Sequence, residues 1–411
     1  MYDALIIGGG PAGAASALLL ARAGWSVVVC EKQTMPRRKV CGEYLSATNL
    51  PLLDALGMGD VFRDNAGPPV RRVGLFAGDT CLEADLPASS EAGGEFGRAL
   101  SRERLDTLLI ERARHAGAEI RQPSEVVDFA RKTDRFRVTL HHSASGQSEE
   151  ISTRLILAAH GSWNPGTLPS QPPKRPPSGG DWFGFKAHFT DSALPEGLMP
   201  LLSFRGGYGG MVHEEQGRTS ISCCVRRDRL AALRALGPGD AGEVVEASLR
   251  ESCRGVREAL DGARRQGSWL AAGPIHPGIR LRQPQGIFPI GNAAGEAHPV
   301  VAEGISMALQ AAWLLSERLL VWRREGAAWD DLHGVAAQYA RDWRRHFASR
   351  LRASRAIAAW AMRPAAVAAT LPLLKIWSGL LSAGARWSGK STFVLGRPDR
   401  VPSARGLGAT S

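Results

Sequence analysis

The sequence predicts an α/β chain: a Rossmann-like nucleotide-binding domain, an inserted mixed β-sheet and a helical C-terminal tail. Three observations carry this. The apolar run Tyr2-Asp3-Ala4-Leu5-Ile6-Ile7 leads straight into a glycine turn and a small-residue helix. A second strand, 286–290, leads into another glycine-rich turn far downstream. Between them, 182–225 is rich in aromatics and glycines in the alternation of a sheet.

In chain order, a strand at 2–7, a helix at 11–23 ended by Gly24, and a strand at 26–31 make one βαβ unit. A basic loop follows at 33–43, then a helix from Ser46 to Leu56. Strands are expected within 70–100, an amphipathic helix over 101–116, and strands at 118–121, 125–129, 135–141 and 154–159. Residues 164–180 hold six prolines and read as an extended crossover. A helical stretch is expected over 238–262, and a long helix from Glu303 to Trp322. The nucleotide-binding domain is then discontinuous (1–70, 98–160 and 275–325). A substrate domain takes 71–97 and 181–274, and a basic helical region takes 326–411.

A chain of 411 residues with 44% hydrophobic and 22% charged content buries a large core without staples. No charged, cleavable apolar leader is visible before Tyr2, and the six cysteines form no CxxC pair or zinc-spaced cluster. A cytoplasmic protein with free thiols and no metal is the expectation. The net charge of +11 is localised. Residues 341–411 carry 13 Lys/Arg and 2 Asp/Glu, which leaves 38 of each sign on the rest. A neutral body argues against nucleic acid as a partner.

Gly8-Gly9-Gly10-Pro11-Ala12-Gly13 fits GxGxxG between a strand and a helix. Gly8 permits the tight turn, Gly10 lets backbone approach a pyrophosphate, and Gly13 allows close helix–strand packing. The helix N-terminus favours the phosphate charge. Glu31 closes the second strand, where its carboxylate accepts from ribose hydroxyls; an acid there suits FAD or NAD rather than NADP.

With Glu31-Lys32 and Cys41-Gly42-Glu43, this opening resembles the flavoprotein superfamily of p-hydroxybenzoate hydroxylase, and within it the geranylgeranyl-reductase-like branch. The resemblance covers 1–130 and 280–322, the central sheet loosely and the tail not at all. It implies FAD as cofactor. It places Lys32, Lys39, Cys41 and Gly42 beside it, and Arg102 at its phosphate or ribityl region. Val126 falls on a strand lining the adenine. Gly291-Asn292-Ala293-Ala294-Gly295 matches the second flavin motif, in which Asn292 replaces the usual acid and still accepts through its amide oxygen. Gly304 and Ile305 begin a helix whose positive end faces the flavin pyrimidine edge.

Two departures matter. The family hydroxylases carry Asp-Gly where this chain has His160-Gly161-Ser162-Trp163. That puts direct use of NAD(P)H in doubt and makes a separate flavin reductase the alternative donor. The two-tryptophan motif of flavin halogenases is missing, which argues against halogenation.

Five residues are candidates for catalysis. Cys41 is either a thiol tuned by Arg37, Arg38 and Lys39 beside the flavin or a small buried hydrophobe. Glu43 is either a proton relay or a helix-start carboxylate. Lys186 and His188 share one strand face with Trp182 and Gly184, and either line the substrate chamber or form an exposed polar face. His298 has either a catalytic or gating role or a structural hydrogen bond. Gly384 to Ser391 fits GxxxxGK[ST] but has no preceding strand, so it is rejected as a phosphate loop.

The tail alternates basic and apolar residues and spreads four tryptophans over 343–387, broken by Pro364 and Pro372. Residues 341–390 either pack on the body or make peripheral contact with an anionic membrane at its inner face. The first functional expectation is a monooxygenase hydroxylating a lipophilic aromatic or polyketide-like substrate. Its dry pocket would come from Trp182, Phe183, Phe185, Phe189 and Tyr208. The second is a flavin-dependent reductase of prenyl-type C=C bonds, and the third a non-catalytic FAD-binding scaffold.

Overall fold

The computed structural model describes residues 1–388 except 163–165, 172, 174, 236–238, 282–283, 327 and 377–378. Trp163, Trp377 and the Gly389-Lys390-Ser391 segment lie outside the described residues.

The strand Tyr2–Ile7 sits at the centre of a seven-stranded sheet, with Val27–Cys30 and Ser148–Ala158 parallel on either side. Glu119–Arg121 extends it beyond Val27–Cys30, and Ile287–Pro289 pairs parallel with the end of Ser148–Ala158. A parallel strand covered on both faces is apolar throughout, which is why 4–7 shows no alternation. Ser148–Ala158 is longer than the 154–159 expected. Its first half pairs antiparallel with Phe136–His142, which pairs in turn with Ser124–Arg131.

The helix Pro11–Arg22 packs against the Gly304–Arg324 and Arg102–His115 helices on one face of this sheet. Gly8 turns the chain into it with φ +105°, and a Cβ there would lie 2.7 Å from the Ala159 carbonyl oxygen. Only glycine meets both conditions.

The second sheet runs Arg264–Ile275, Trp182–Thr190, Thr219–Arg226, Gly207–His213, Leu198–Phe204, Arg72–Ala77, Thr80–Asp85. All neighbours are antiparallel except Leu198–Phe204 with Arg72–Ala77. Residues 72–85 therefore join a sheet otherwise built from 182–275. One face is covered by the helices Ala241–Ser252 and Arg254–Ala259, which bury Phe185, Phe189, Phe204, Val245, Leu249 and Val256 in one cluster.

Two helices differ from expectation. Over 46–56 the regular part is a short turn, Ala47–Asn49, then Leu50–Ala55, because Pro51 is tolerated only in a first helical turn. The stretch 238–262 is two helices broken at Cys253, which is extended (φ −133°, ψ 107°) while Arg254 N donates to Gly78 O.

In the tail, Leu332–Ala361 buries Tyr339, Trp343, Phe347 and Leu351, and the Tyr339 hydroxyl donates to Pro289 O at 3.0 Å. This helix is thus part of the body. The helices Pro364–Ile376 and Gly379–Ser388 lie against the second sheet, where Ser382 Oγ donates to Asp85 O. Among the described residues no single helix is long and apolar enough to cross a membrane.

Candidate active site

A cavity of about 710 Å³ runs from the Gly8 turn, between the two sheets, to the last two helices. The two distant glycine turns meet at its head: a Cβ on Gly291 would stand 3.0 Å from Ala12 Cβ.

The head is built to hold an extended dinucleotide. Gly10 caps the Pro11–Arg22 helix with no side-chain hydrogen bond to its first N–H groups. Above it stand two guanidinium groups, since a Cβ on Gly10 would lie 3.5 Å from Arg102 Nη2 and 3.8 Å from Arg37 Nη2. Arg37 is buried, and its Nε and Nη1 have no hydrogen-bond partner. A helix N-terminus facing an arginine with two orphaned donors fits a pyrophosphate. Glu31 accepts from Gly9 N at 2.9 Å, Gln33 N at 3.0 Å and Arg37 Nη2 at 3.3 Å. Burial, with Arg37 next in weight, lowers the Lys39 ammonium to about 8.

Of the residues expected to touch the cofactor, Gly8, Gly10, Pro11, Ala12, Glu31 and Lys32 line the head. Lys39, Cys41, Gly42, Arg102 and Val126 also line the cavity, as do Gly291, Asn292, Gly304 and Ile305. Gly13, Ala293 and Gly295 do not. A Cβ on Gly13 would be 2.0 Å from Gly8 O, Ala293 is buried, and a Cβ on Gly295 would meet Trp343 at 2.4 Å. Gly42 and Gly304 have nothing within 4 Å of a built Cβ, so both offer bare backbone to the cavity. Asn292 donates from Nδ2 to Glu296 at 3.2 Å, which leaves the acceptor role to its oxygen.

At the middle of the cavity lies Glu43, held at φ +61°, a conformation uncommon outside glycine. Its Oε1 accepts from Arg102 N at 2.7 Å, the first N–H of the Arg102–His115 helix. The same carboxylate pairs with Lys186 and stands 3.3 Å from His188 Nε2. The helix-start reading of Glu43 thus matches its bond to Arg102 N, and the side chain also carries buried charge. Lys186 and His188 are 1% and 3% exposed, which overturns the exposed-face alternative. Nor do they line the chamber; they stand behind Glu43. Glu214 completes the cluster, 3.2 Å from His188 Nε2 and 3.0 Å from Arg218 Nε.

Burial alone would raise the Glu43 carboxyl, but the Lys186 ammonium holds it well below the usual range. Burial raises Glu214 to about 7. For His188 burial works downward, and the Glu214 and Glu43 carboxylates outweigh it to give a net rise. Glu43, His188 and Glu214 are close enough to share a metal ion. With Lys186, Arg218 and Arg38 (3.4 Å from His188 Nδ1) around them, the carboxylates are already compensated, which disfavours a cation there.

Cys41 is half-buried; its Sγ faces Glu43 N at 3.5 Å and its carbonyl accepts from Ser222 Oγ at 2.7 Å. That second bond ties the loop to the second sheet. His298 lines the cavity, with Nδ1 on the buried Tyr208 hydroxyl and its backbone N on Ser354 Oγ at 3.0 Å. Burial, then Arg355, lowers this imidazole to about 4.

The aromatic pocket expected from the sheet is not what the structure has. Tyr208 lines the cavity, but Trp182, Phe183, Phe185 and Phe189 do not. Phe185 and Phe189 alternate onto the helix-covered face. The far arm is mostly aliphatic, lined by Val73, Leu75, Met199, Leu201, Ile357, Leu374 and Leu381, with Trp360 beside them. Sequence reasoning also missed Glu214 and the Glu303–Arg350 pair (3.2 Å), in which burial raises Glu303 to about 7 against the pull of Arg350. The one available signal was acids following an aromatic strand or a flavin-loop turn.

Residues 1–167 match the FAD binding domain family. Menaquinone reductase of Mycobacterium tuberculosis is 31% identical over 163 residues, 40% of this chain and 38% of that protein. The chain thus matches well under half of that relative's length. Digeranylgeranylglycerophospholipid reductase 1 of Methanopyrus kandleri is 24% identical over 334 residues, 75% of this chain and 77% of that protein. The myxobacterial chondrochloren halogenase CndH superposes with a TM-score of 0.76 at 19% identity, over 97% of this chain and 94% of its own. At that identity the likeness is one of fold.

Proposed function

We propose that this chain, whose residues 1–167 match the FAD binding domain family, is an FAD-dependent oxidoreductase that reduces C=C bonds in a long, prenyl-type lipophilic substrate. The observation that carries this reading is the aliphatic far arm of the cavity, continuous with the head that fits FAD. Walls in which alkyl side chains outnumber rings, with Trp360 the ring beside them, suit an isoprenoid or acyl chain better than an aromatic nucleus. The names of the two reductase relatives point the same way.

Bound FAD supplies the hydride equivalents for such a reaction. The chain's own residues do the rest. The Pro11–Arg22 N-terminus, Arg37 and Arg102 meet negative charge, and Glu31 meets hydroxyl groups. The N-terminus of Gly304–Arg324 offers a positive dipole end to the cavity. Cys41, in the cavity lining, would supply the proton beside the reacting bond. The electron donor is NAD(P)H directly or a separate flavin reductase.

A second reading, hydroxylation of a phenol-type substrate, rests on the Tyr208–His298 pair in the cavity wall. The experiment is turnover of prenylated quinone or lipid against phenolic substrates with an oxygen electrode. Saturated product without oxygen uptake supports reduction. Product formation with one O₂ consumed per turnover replaces it with hydroxylation.

A further inference from the structure

Of the large apolar side chains that are exposed among the described residues, three lie on the last two helices: Leu373 (47%), Ile376 (74%) and Leu380 (41%). Leu373 and Leu380 also line the cavity, together with Thr370, Leu374, Leu381 and Gly384. The same two helices therefore form the far end of the channel and carry its exposed apolar rim. A soluble surface does not gather such residues at a cavity end without a reason.

The charge carried by these helices and the one before them is basic. Between Asp342 and Asp399 the sequence has no Asp or Glu, and Arg352, Arg355 and Arg363 are exposed. The exposed acids beside the last helix, Glu83 and Asp85, belong to the edge strand Thr80–Asp85, where Glu83 is paired with Arg72. Exposed apolar side chains on helices that carry arginines and no acids of their own are the pattern of an anionic lipid interface. The preceding helix is fixed in the core through Trp343 and Phe347, so these side chains are presented on a rigid support.

We propose that the helices Pro364–Ile376 and Gly379–Ser388 dock on an anionic bilayer and that the cavity opens to the lipid between them. The docking stands by itself; the use of the opening as a substrate portal rests on the function proposed above.

The test uses the full chain loaded with FAD, sedimented with vesicles of equimolar phosphatidylglycerol and phosphatidylcholine or of phosphatidylcholine alone. Binding to the anionic vesicles that weakens with salt is expected, with tryptophan fluorescence quenched by brominated acyl chains. Ile376→Asp, which touches no part of the cavity, should lower partitioning by about tenfold or more. Arg363→Glu gives a second variant if the first fails to retain its flavin. No vesicle binding, equal binding to neutral vesicles, or binding untouched by both variants overturns the proposal. So does a dimer, seen by sedimentation velocity, that Ile376→Asp dissolves in the absence of any lipid binding. Flavin absorbance, read in the same samples, separates failure of docking from failure of the redox reading.

Discussion

Lys186 and Glu43 form an ion pair in which each side chain is 1% exposed, joining the second sheet to the loop at the cavity's middle. Both charges are out of water, so the pair matters through what its loss would leave behind. Lys186→Met strands the Glu43 carboxylate beside Glu214, and a broken buried pair costs about 3–5 kcal/mol. Denaturant unfolding of the flavin-loaded protein should show that loss. The double variant Lys186→Met/Glu43→Gln should recover part of it. Additive losses in the double variant would mean the two side chains do not act as a pair.

Glu303 gives a pH prediction with a definite sign. Its carboxyl is raised from 4.5 to about 7, so between those values the folded state holds a proton that the unfolded state has released. Stability contributed by this group is present at the acid end and is lost as pH rises toward 7, at about 1.4 kcal/mol per unit at most. Glu303→Gln should flatten that part of the profile. A variant whose unfolding free energy tracks the wild type across the window would show that Glu303 titrates normally.

The head of the site was legible because its physics is local. A turn that admits only glycine, a helix that starts just after it and an acid ending the next strand are all visible along the chain, and the turn at Gly291 could be matched to the turn at Gly8 through the motif. The middle was not. Period-2 alternation separates Lys186 and His188 from Phe185 and Phe189, but it does not say which face is covered by helices and which meets the cavity. The covering elements, 241–259, lie in a different part of the sequence. Glu214 was invisible for the same reason: it meets His188 beside Glu43, a contact no spacing encodes.

Arg37 carries two donors without partners at the place where a pyrophosphate fits. Supplying those partners should be worth about 1.5–3 kcal/mol of FAD affinity, since hydrogen bonds to charged groups are the stronger kind. Arg37→Met should therefore raise the Kd for FAD by about tenfold to a hundredfold, read from quenching of flavin fluorescence, with the circular dichroism of the apoprotein unchanged. Unaltered affinity would move the pyrophosphate away from this arginine.

Cys41 offers the sharpest chemical test, because its side chain and its backbone do different things. The carbonyl is held by Ser222 and is kept in any substitution, whereas Sγ faces Glu43 N and the cavity. Cys41→Ala should thus keep the loop, the FAD and the spectrum of the bound flavin. If the thiol delivers the proton that completes saturation, turnover should fall by about a hundredfold, the lower end of what a positioned acid contributes. Flavin reduction, measured separately by stopped-flow, should keep its rate, so the loss would appear only in the reoxidation step with substrate present. Cys41→Ser, which restores a donor of similar size, should recover part of it. Equal turnover in the alanine variant and the wild type would leave the thiol as packing and pass the proton donor's role to another group.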